Sequence, residues 1–175
     1  MGKKLDGKTV WVTGSSRGIG RVIASHLASL GANIVVHGTT PTSTQQLNEA
    51  DSLDAVAAAI SDEHGVDVKA VHGDLTDEAV VAQIVSDIRD QFGQIDILIN
   101  NAGGDIGTKG VTAENAGKPI VNDALEISLE DVQTVIDRNL MLRILGCRAG
   151  VGEMIARKEG WIVTIGSIAG LSGNV

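Results

Sequence analysis

A glycine-rich loop lies between the first predicted strand and the first predicted helix. Residues 8–13 are apolar and β-branched, which is typical of a short strand buried on both faces. Residues 13–20 then read Thr-Gly-Ser-Ser-Arg-Gly-Ile-Gly. The three glycines permit a tight turn, close approach of the backbone to a ligand and close packing of the next helix, whose amino terminus favours an anion. The loop predicts a site for the pyrophosphate of a dinucleotide, although its GxxxGxG spacing alone leaves an ordinary strand-to-helix turn open.

Strands and helices alternate along the rest of the chain. Further strands are predicted at residues 32–36, 66–71, 94–99 and 161–165, and apolar residues at three- and four-residue spacing predict helices between them. Parallel strands joined by helices require right-handed crossovers. The predicted fold class is therefore α/β, a doubly wound parallel sheet of the Rossmann type, with residues 1–175 in a single dinucleotide-binding domain.

Three details of the helices are specific predictions. Thr76 is the predicted cap of the third helix, and Ser128 with Asp131 forms the predicted capping box of one long helix that reaches about residue 158. Apolar residues occupy more than one side of that long helix, which predicts contact with both the sheet and a partner subunit. The first helix is predicted from the three- and four-residue spacing of its apolar residues, which are Ile19, Val22, Ile23, Leu27 and Leu30.

Composition excludes several classes of function. The chain has 22 acidic and 14 basic side chains, and its net charge of -8 disfavours nucleic acid and anionic membranes as partners. One cysteine, Cys147, and the lack of an apolar run of about 20 residues predict a cytoplasmic protein without a membrane span. The four histidines lack the spacing of metal ligands, so no metal site is predicted.

Polar and small residues follow each predicted strand. Because the carboxyl ends of parallel strands meet at one edge of a sheet, Thr13, Gly38, Asp74, Asn101 and Ser167 are expected to converge there. The ligand site of the domain is predicted at this edge.

Two motifs in this order resemble the short-chain dehydrogenase/reductase family. They are the loop at residues 13–20 and Asn-Asn-Ala-Gly at residues 100–103. The resemblance covers nearly the whole chain, and within the family the 3-oxoacyl-carrier-protein reductases are most similar. It implies that Asp74 contacts the adenine ring and that the cofactor is bound by Gly14, Ser16, Arg17, Gly18, Ile19, Gly20, Gly38, Thr39, Asp74, Leu75, Asn101, Ala102 and Gly103.

The resemblance also implies two catalytic residues. Asn139 matches the active-site asparagine of the family, and Ser167 matches its catalytic serine. Each position also has a structural alternative: Asp74 as a residue that favours a helix dipole, Asn139 as an ordinary helix residue, and Ser167 and Asn101 as turn residues.

The choice of cofactor depends on the end of the second strand. An acidic residue there would bind the ribose 2′-hydroxyl and repel a 2′-phosphate, but the chain has His-Gly-Thr-Thr at residues 37–40. Arg17 can pair with the 2′-phosphate, unless it is only a solvated surface charge. NADP(H) is the predicted preference, and NAD(H) is the alternative.

The predicted reaction is hydride transfer between a nicotinamide and a ketone or secondary alcohol, with a 3-oxoacyl compound as one candidate substrate. Ser167 would donate a hydrogen bond to the carbonyl oxygen. The proton donor implied by the resemblance is a tyrosine assisted by a lysine one helical turn further on, and the sequence contains no tyrosine. The 175-residue chain is therefore expected to lack the C-terminal strands of the family and to be inactive alone.

Two other functions and two partner predictions accompany this interpretation. The alternatives are a non-catalytic nucleotide-binding regulatory module and a structural subunit that binds no nucleotide. The expected partners are a small-molecule carbonyl or alcohol and further copies of the chain, in a homodimer or homotetramer formed through the long helix.

Residues 104–123 are hypothesised to shape the substrate entrance, with a tolerated surface insertion as the alternative.

Overall fold

The strands form one parallel sheet, as the sequence predicts. The structure is a computed structural model that describes residues 3–167. Within this range the sheet has five strands in the order β3-β2-β1-β4-β5, and each pairs in parallel with its neighbours. The strands are β1 (Thr9–Val12), β2 (Asn33–Gly38), β3 (Val68–His72), β4 (Ile97–Asn100) and β5 (Trp161–Thr164).

Helices cover both faces of the sheet. They are α1 (Gly18–Ser29), α2 (Leu53–His64), α3 (Glu78–Phe92), α4 (Leu129–Ile136), α5 (Leu142–Gly150) and α6 (Gly152–Arg157). Short 3-10 helices occupy Ser43–Leu47 and Glu114–Gly117. No helix within residues 3–167 is both long and apolar enough to traverse a bilayer.

Alternating side chains of β1 divide the core into two layers. Val10 and Val12 face a buried cluster formed with α1 and α2, whereas Trp11 faces a second cluster formed with α3 and α5. All three side chains have 0% exposure. The first strand is therefore buried on both faces, which explains why its sequence is continuously apolar.

The predicted first helix is present as α1, but its buried face differs from its apolar pattern. Ile19 and Val22 are each 69% exposed, and the buried residues of the helix are Gly20, Ala24 and Ala28. These small residues recur every four positions and let the helix backbone approach the sheet closely. Ile23 and Leu27 still pack partly against the core, as do other large side chains of this layer.

Two helix boundaries also differ from the prediction. Asp77, rather than Thr76, caps α3, because its carboxylate accepts hydrogen bonds from the backbone N–H groups of Ala79 and Val80 at 2.8 and 3.3 Å and also favours the helix dipole. Thr76 instead donates its hydroxyl to Asp74 at 2.8 Å.

The predicted long helix consists of four consecutive helical segments. Ser128 caps α4 by accepting from the N–H of Asp131 at 3.0 Å, as predicted. A π-helical segment at Asp137–Met141 then separates α4 from α5, and Val151 separates α5 from α6. Glycines at 150 and 152 flank this second break, and glycine weakens a helix interior.

Candidate functional site

A cavity of about 570 Å³ lies at the carboxyl edge of the sheet. This volume is in the usual range for small-molecule and cofactor sites. The cavity, called the edge cavity below, is lined by the loops that follow β1, β2, β3 and β4. All the residues predicted to bind a cofactor line it: Gly14, Ser16, Arg17, Gly18, Ile19, Gly20, Gly38, Thr39, Asp74, Leu75, Asn101, Ala102 and Gly103.

The glycine loop fits a ligand that needs close backbone approach. Gly14 and Gly18 have φ values of +64° and +55°, in the left-handed region that favours glycine. A methyl group at Gly14 would lie 2.9 Å from the Cα of Ala102, and one at Gly20 would overlap the carbonyl oxygen of Gly14. A methyl group at Gly18 would meet no atom within 4 Å, but the N–H of this residue donates to the Glu49 carboxylate at 3.0 Å. Such a cradle suits the pyrophosphate of a dinucleotide.

Asn101 joins the end of β4 to the glycine loop. Its side-chain amide donates to the carbonyl oxygens of Thr13 and Gly14, each at 3.0 Å. The hydroxyl of Thr13 in turn accepts the backbone N–H groups of Asn101 and Ala102 at 3.0 Å. These four hydrogen bonds fix two loops of the edge cavity relative to each other.

The end of β2 presents donors to the edge cavity. Arg17 reaches over this end and donates to the carbonyl oxygen of Ser43 at 2.7 Å and to the side chain of Gln46. The Ser43 hydroxyl is buried against Gly38 and has no hydrogen-bond partner within the described residues. A guanidinium beside a buried hydroxyl is a suitable environment for an anionic group.

Asp74 lines the edge cavity directly after β3, the strand that pairs with β2. One oxygen of its carboxylate accepts from the N–H and the hydroxyl of Thr76 at 2.9 and 2.8 Å. The side chain is exposed, whereas that of Leu75 is buried. Among the described residues that line the cavity, Asp74 is the one carboxylate.

His37 contacts the glycine loop although the sequence analysis gave it no role. Its Nδ1 accepts the N–H of Gly14 at 3.0 Å, and its Nε2 lies 3.1 Å from the carbonyl oxygen of Gly73. Burial lowers the pKa of His37 from 6.5 to about 4. A histidine that ends an otherwise apolar strand was the available signal, but the histidines were considered only as metal ligands. Within the described residues, the structure has no cluster of candidate metal ligands.

The two predicted catalytic residues do not line the edge cavity. Asn139 lies in the π-helical segment, where its amide accepts the N–H of Gly104 at 2.9 Å and donates to the carbonyl oxygens of Gly104 and Val135 at 2.8 Å. Ser167 is exposed and lies three residues beyond the last residue of β5. Thr164, which ends β5, pairs with Asn100, so Ser167 follows the sheet at the same edge as Asn101.

Known proteins are similar to this chain in fold and in sequence. The 3-oxoacyl-[acyl-carrier-protein] reductase FabG of Escherichia coli (strain K12) is 33% identical over 170 residues, which are 97% of this chain and 59% of that protein. The structure of L-sorbose reductase from Gluconobacter frateurii complexed with NADPH and L-sorbose matches with a TM-score of 0.77 and 30% identity over 97% of this chain and 56% of that one. The structure of NAD+-bound xylitol dehydrogenase matches with a TM-score of 0.80 and 27% identity over 98% of this chain and 57% of that one.

A family model, that of the short chain dehydrogenases, also matches the chain. It covers residues 8–175, and thus includes the glycine loop, Asn101, Asn139 and Ser167. The chain spans about three fifths of the length of the curated relative above. The resemblance inferred from residues 13–20 and 100–103 is confirmed. The chain belongs to the short-chain dehydrogenase family.

Proposed function

We propose that the protein is an NADP(H)-dependent oxidoreductase that interconverts a ketone and a secondary alcohol, with a 3-oxoacyl thioester as its substrate. The observation that carries the proposal is the edge cavity, in which four strand-end loops surround a glycine cradle at the amino terminus of α1. The similarity to a 3-oxoacyl-[acyl-carrier-protein] reductase supports the substrate class. The cofactor supplies or accepts the hydride when it is bound.

The preference for NADP(H) rests on the charges near β2. Arg17 and the Ser43 hydroxyl provide donors beside Gly38, and Thr39 is exposed at the same place. An acidic side chain, which would repel a 2′-phosphate, is lacking among residues 37–40. Asp74 follows β3, next to the end of β2, and we assign the adenine ring to this part of the edge cavity.

The chemical steps assigned to this chain are limited. Ser167 donates a hydrogen bond to the substrate oxygen, which becomes more negative as hydride arrives. Asn139 acts as a positioning residue, because its amide holds Gly104 directly after the Asn-Ala-Gly motif. The sequence contains no tyrosine to protonate the oxygen, so residues 1–175 alone are predicted to bind cofactor without turnover. This lack keeps a non-catalytic nucleotide-binding module as the second candidate.

Reduction of a 3-oxoacyl thioester by the full-length protein tests the activity. The assay follows consumption of NADPH or NADH in the presence of the substrate. The proposal expects turnover with NADPH and slower turnover with NADH. Binding of NADPH without turnover of any 3-oxo compound would favour the non-catalytic module.

Replacement of Arg17 by alanine tests the cofactor preference. We expect the Kd for NADPH to rise about tenfold, because a charge-assisted contact with the 2′-phosphate is lost. The Kd for NADH should remain within about twofold, since that cofactor has no such phosphate. Fluorescence titration of each cofactor measures both constants.

Arg21→Ala is the matched control for this experiment. Arg21 lies one turn along α1, donates to the carbonyl oxygen of Glu49 at 3.0 Å, and does not line the edge cavity. Because Arg21 also lies 3.8 Å from the Glu49 carboxylate, which accepts the N–H of Gly18, its replacement should change the Kd for NADPH and the Kd for NADH by the same factor. An equal rise in the Kd for NADPH and the Kd for NADH in Arg17→Ala would contradict a role of Arg17 in recognition of the 2′-phosphate.

A further inference from the structure

His37 connects two loops of the edge cavity. Its carbonyl oxygen accepts the N–H groups of Ser15 and Ser16 at 2.8 and 3.0 Å, and its own N–H donates to the Ser15 hydroxyl at 2.9 Å. Its imidazole accepts the N–H of Gly14 at 3.0 Å and lies 3.1 Å from the carbonyl oxygen of Gly73. One residue therefore holds the glycine loop through both its backbone and its side chain.

The two partners of the imidazole determine its protonation. A backbone N–H can only donate, so Nδ1 must be the unprotonated nitrogen that faces Gly14. A carbonyl oxygen can only accept, so Nε2 must carry the proton that faces Gly73. The doubly protonated ring would place a second donor against the N–H of Gly14. His37 is 3% exposed, and this burial lowers the pKa of its ring. At the end of β3, Asp74 raises that pKa and His72 lowers it further.

The ring lies between the two parts of the edge cavity. On one side, Gly14 belongs to the cradle at the start of α1; on the other, Gly73 directly precedes Asp74. An apolar side chain could fill the same space but would leave the N–H of Gly14 without its acceptor. Loss of a partner from a partly buried donor is costly, and the loop would move to recover one.

We propose that His37 is a positioning residue for dinucleotide binding, whose neutral ring fixes the glycine loop against the loop after β3. The inference rests on the proposed function, since it requires a dinucleotide in the edge cavity. A packing role would require only a side chain of similar size, whereas the positioning role of His37 requires an acceptor at the position of Nδ1. Binding should therefore depend on that acceptor and on the charge of the ring.

Two variants of the full-length protein separate these roles. His37→Leu fills the site without an acceptor, and His37→Asn retains an acceptor at the position of Nδ1. At neutral pH we expect the Kd for NADP+ to rise about tenfold in His37→Leu and to stay within about threefold in His37→Asn. His26→Asn, at an exposed position of α1, is the control and should bind as the wild type does.

The pH dependence gives a readout that packing alone would not change. Because burial lowers the pKa of His37 in the folded protein to about 4, the ring stays neutral and keeps its contacts until the pH falls through about 4. Binding by the wild type should weaken as the pH falls through about 4, more than binding by His37→Asn. Nitrogen-15 spectra of the imidazole should show an unprotonated Nδ1 at neutral pH.

Four results would overturn the inference. Two concern affinity at neutral pH: a folded His37→Leu variant that binds NADP+ as the wild type does, and a His37→Asn variant that binds as weakly as His37→Leu. The other two are identical pH profiles of binding for the wild type and His37→Asn, and a protonated Nδ1 at neutral pH. If His37→Leu does not fold, the pH profiles and the spectra decide. Failure of the wild type to bind any dinucleotide would instead refute the proposed function, and this inference with it.

Discussion

Replacing Gly20 with alanine should abolish dinucleotide binding. The added methyl group would overlap the carbonyl oxygen of Gly14 and lie 2.5 Å from the amide nitrogen of Asn101. The Gly14 oxygen belongs to the backbone, and the Asn101 amide is held by hydrogen bonds to two carbonyl oxygens. Because neither group can move freely, α1 must move away from the glycine loop. We expect the free energy of unfolding to fall by about 2 kcal/mol. Titration with NADPH and urea unfolding measure the two effects.

Gly152→Ala is the control for this substitution. Gly152 also lies in a helix, but a methyl group there would meet no atom within 4 Å. The control should leave binding unchanged and stability equal or higher, because alanine is the better helix former. A Gly20→Ala variant that binds NADPH as the wild type does would place the nucleotide away from the glycine loop.

Replacing Asp96 with alanine should have the largest effect on stability. This carboxylate is 2% exposed and accepts the backbone N–H of Thr9 at 2.9 Å and the side-chain amide of Gln94 at 2.8 Å. Its oxygens also lie 3.9 and 3.7 Å from the cationic groups of Lys8 and Arg157. Removing it leaves the buried N–H of Thr9 without its carboxylate acceptor, whereas Lys8 and Arg157 keep the exposed carboxylates of Glu159 and Glu153. We expect a loss of about 3 kcal/mol in the free energy of unfolding.

Glu159→Gln separates the buried carboxylate from the exposed one. Glu159 forms a 2.6 Å ion pair with Lys8, but its side chain is 54% exposed. Solvent screens such a pair, so its loss should lower the free energy of unfolding less than the loss of Asp96 does. Urea unfolding measures both variants. Equal losses for Asp96→Ala and Glu159→Gln would mean that the buried network contributes no more than a surface pair.

The sequence predicted the sheet and its edge well because their signals are local. Short apolar runs indicate buried parallel strands, and the observed strands β1 to β5 lie where these runs occur. Since parallel strands must end at one edge, residues far apart in sequence, such as Gly14, Gly38, Asp74 and Asn101, could be assigned to one cavity.

Packing determined the features that the sequence analysis missed. Ile19 and Val22 belong to the apolar pattern of α1 but are exposed, whereas Gly20 lies against the glycine loop and Ala24 and Ala28 are buried in the core. A periodic pattern cannot show that small residues bring two backbones together.

Polar residues of the site were missed for a related reason. His37 and Ser43 have no motif, and their contacts with Gly14 and with the end of β2 depend on how loops distant in sequence meet. Asp77 was overlooked as the cap of α3 because Thr76 precedes it and is also a suitable cap residue. Only the hydrogen bonds in the structure show that Asp77, and not Thr76, is the cap.

Titration of the protein with NADPH tests the central claim, that the edge cavity binds a dinucleotide. The account predicts saturable binding to one site, with a higher affinity for NADPH than for NADH and no binding by Gly20→Ala. Saturable binding that Gly20→Ala retains would place the nucleotide elsewhere. The absence of any saturable change in NADPH fluorescence would contradict the account.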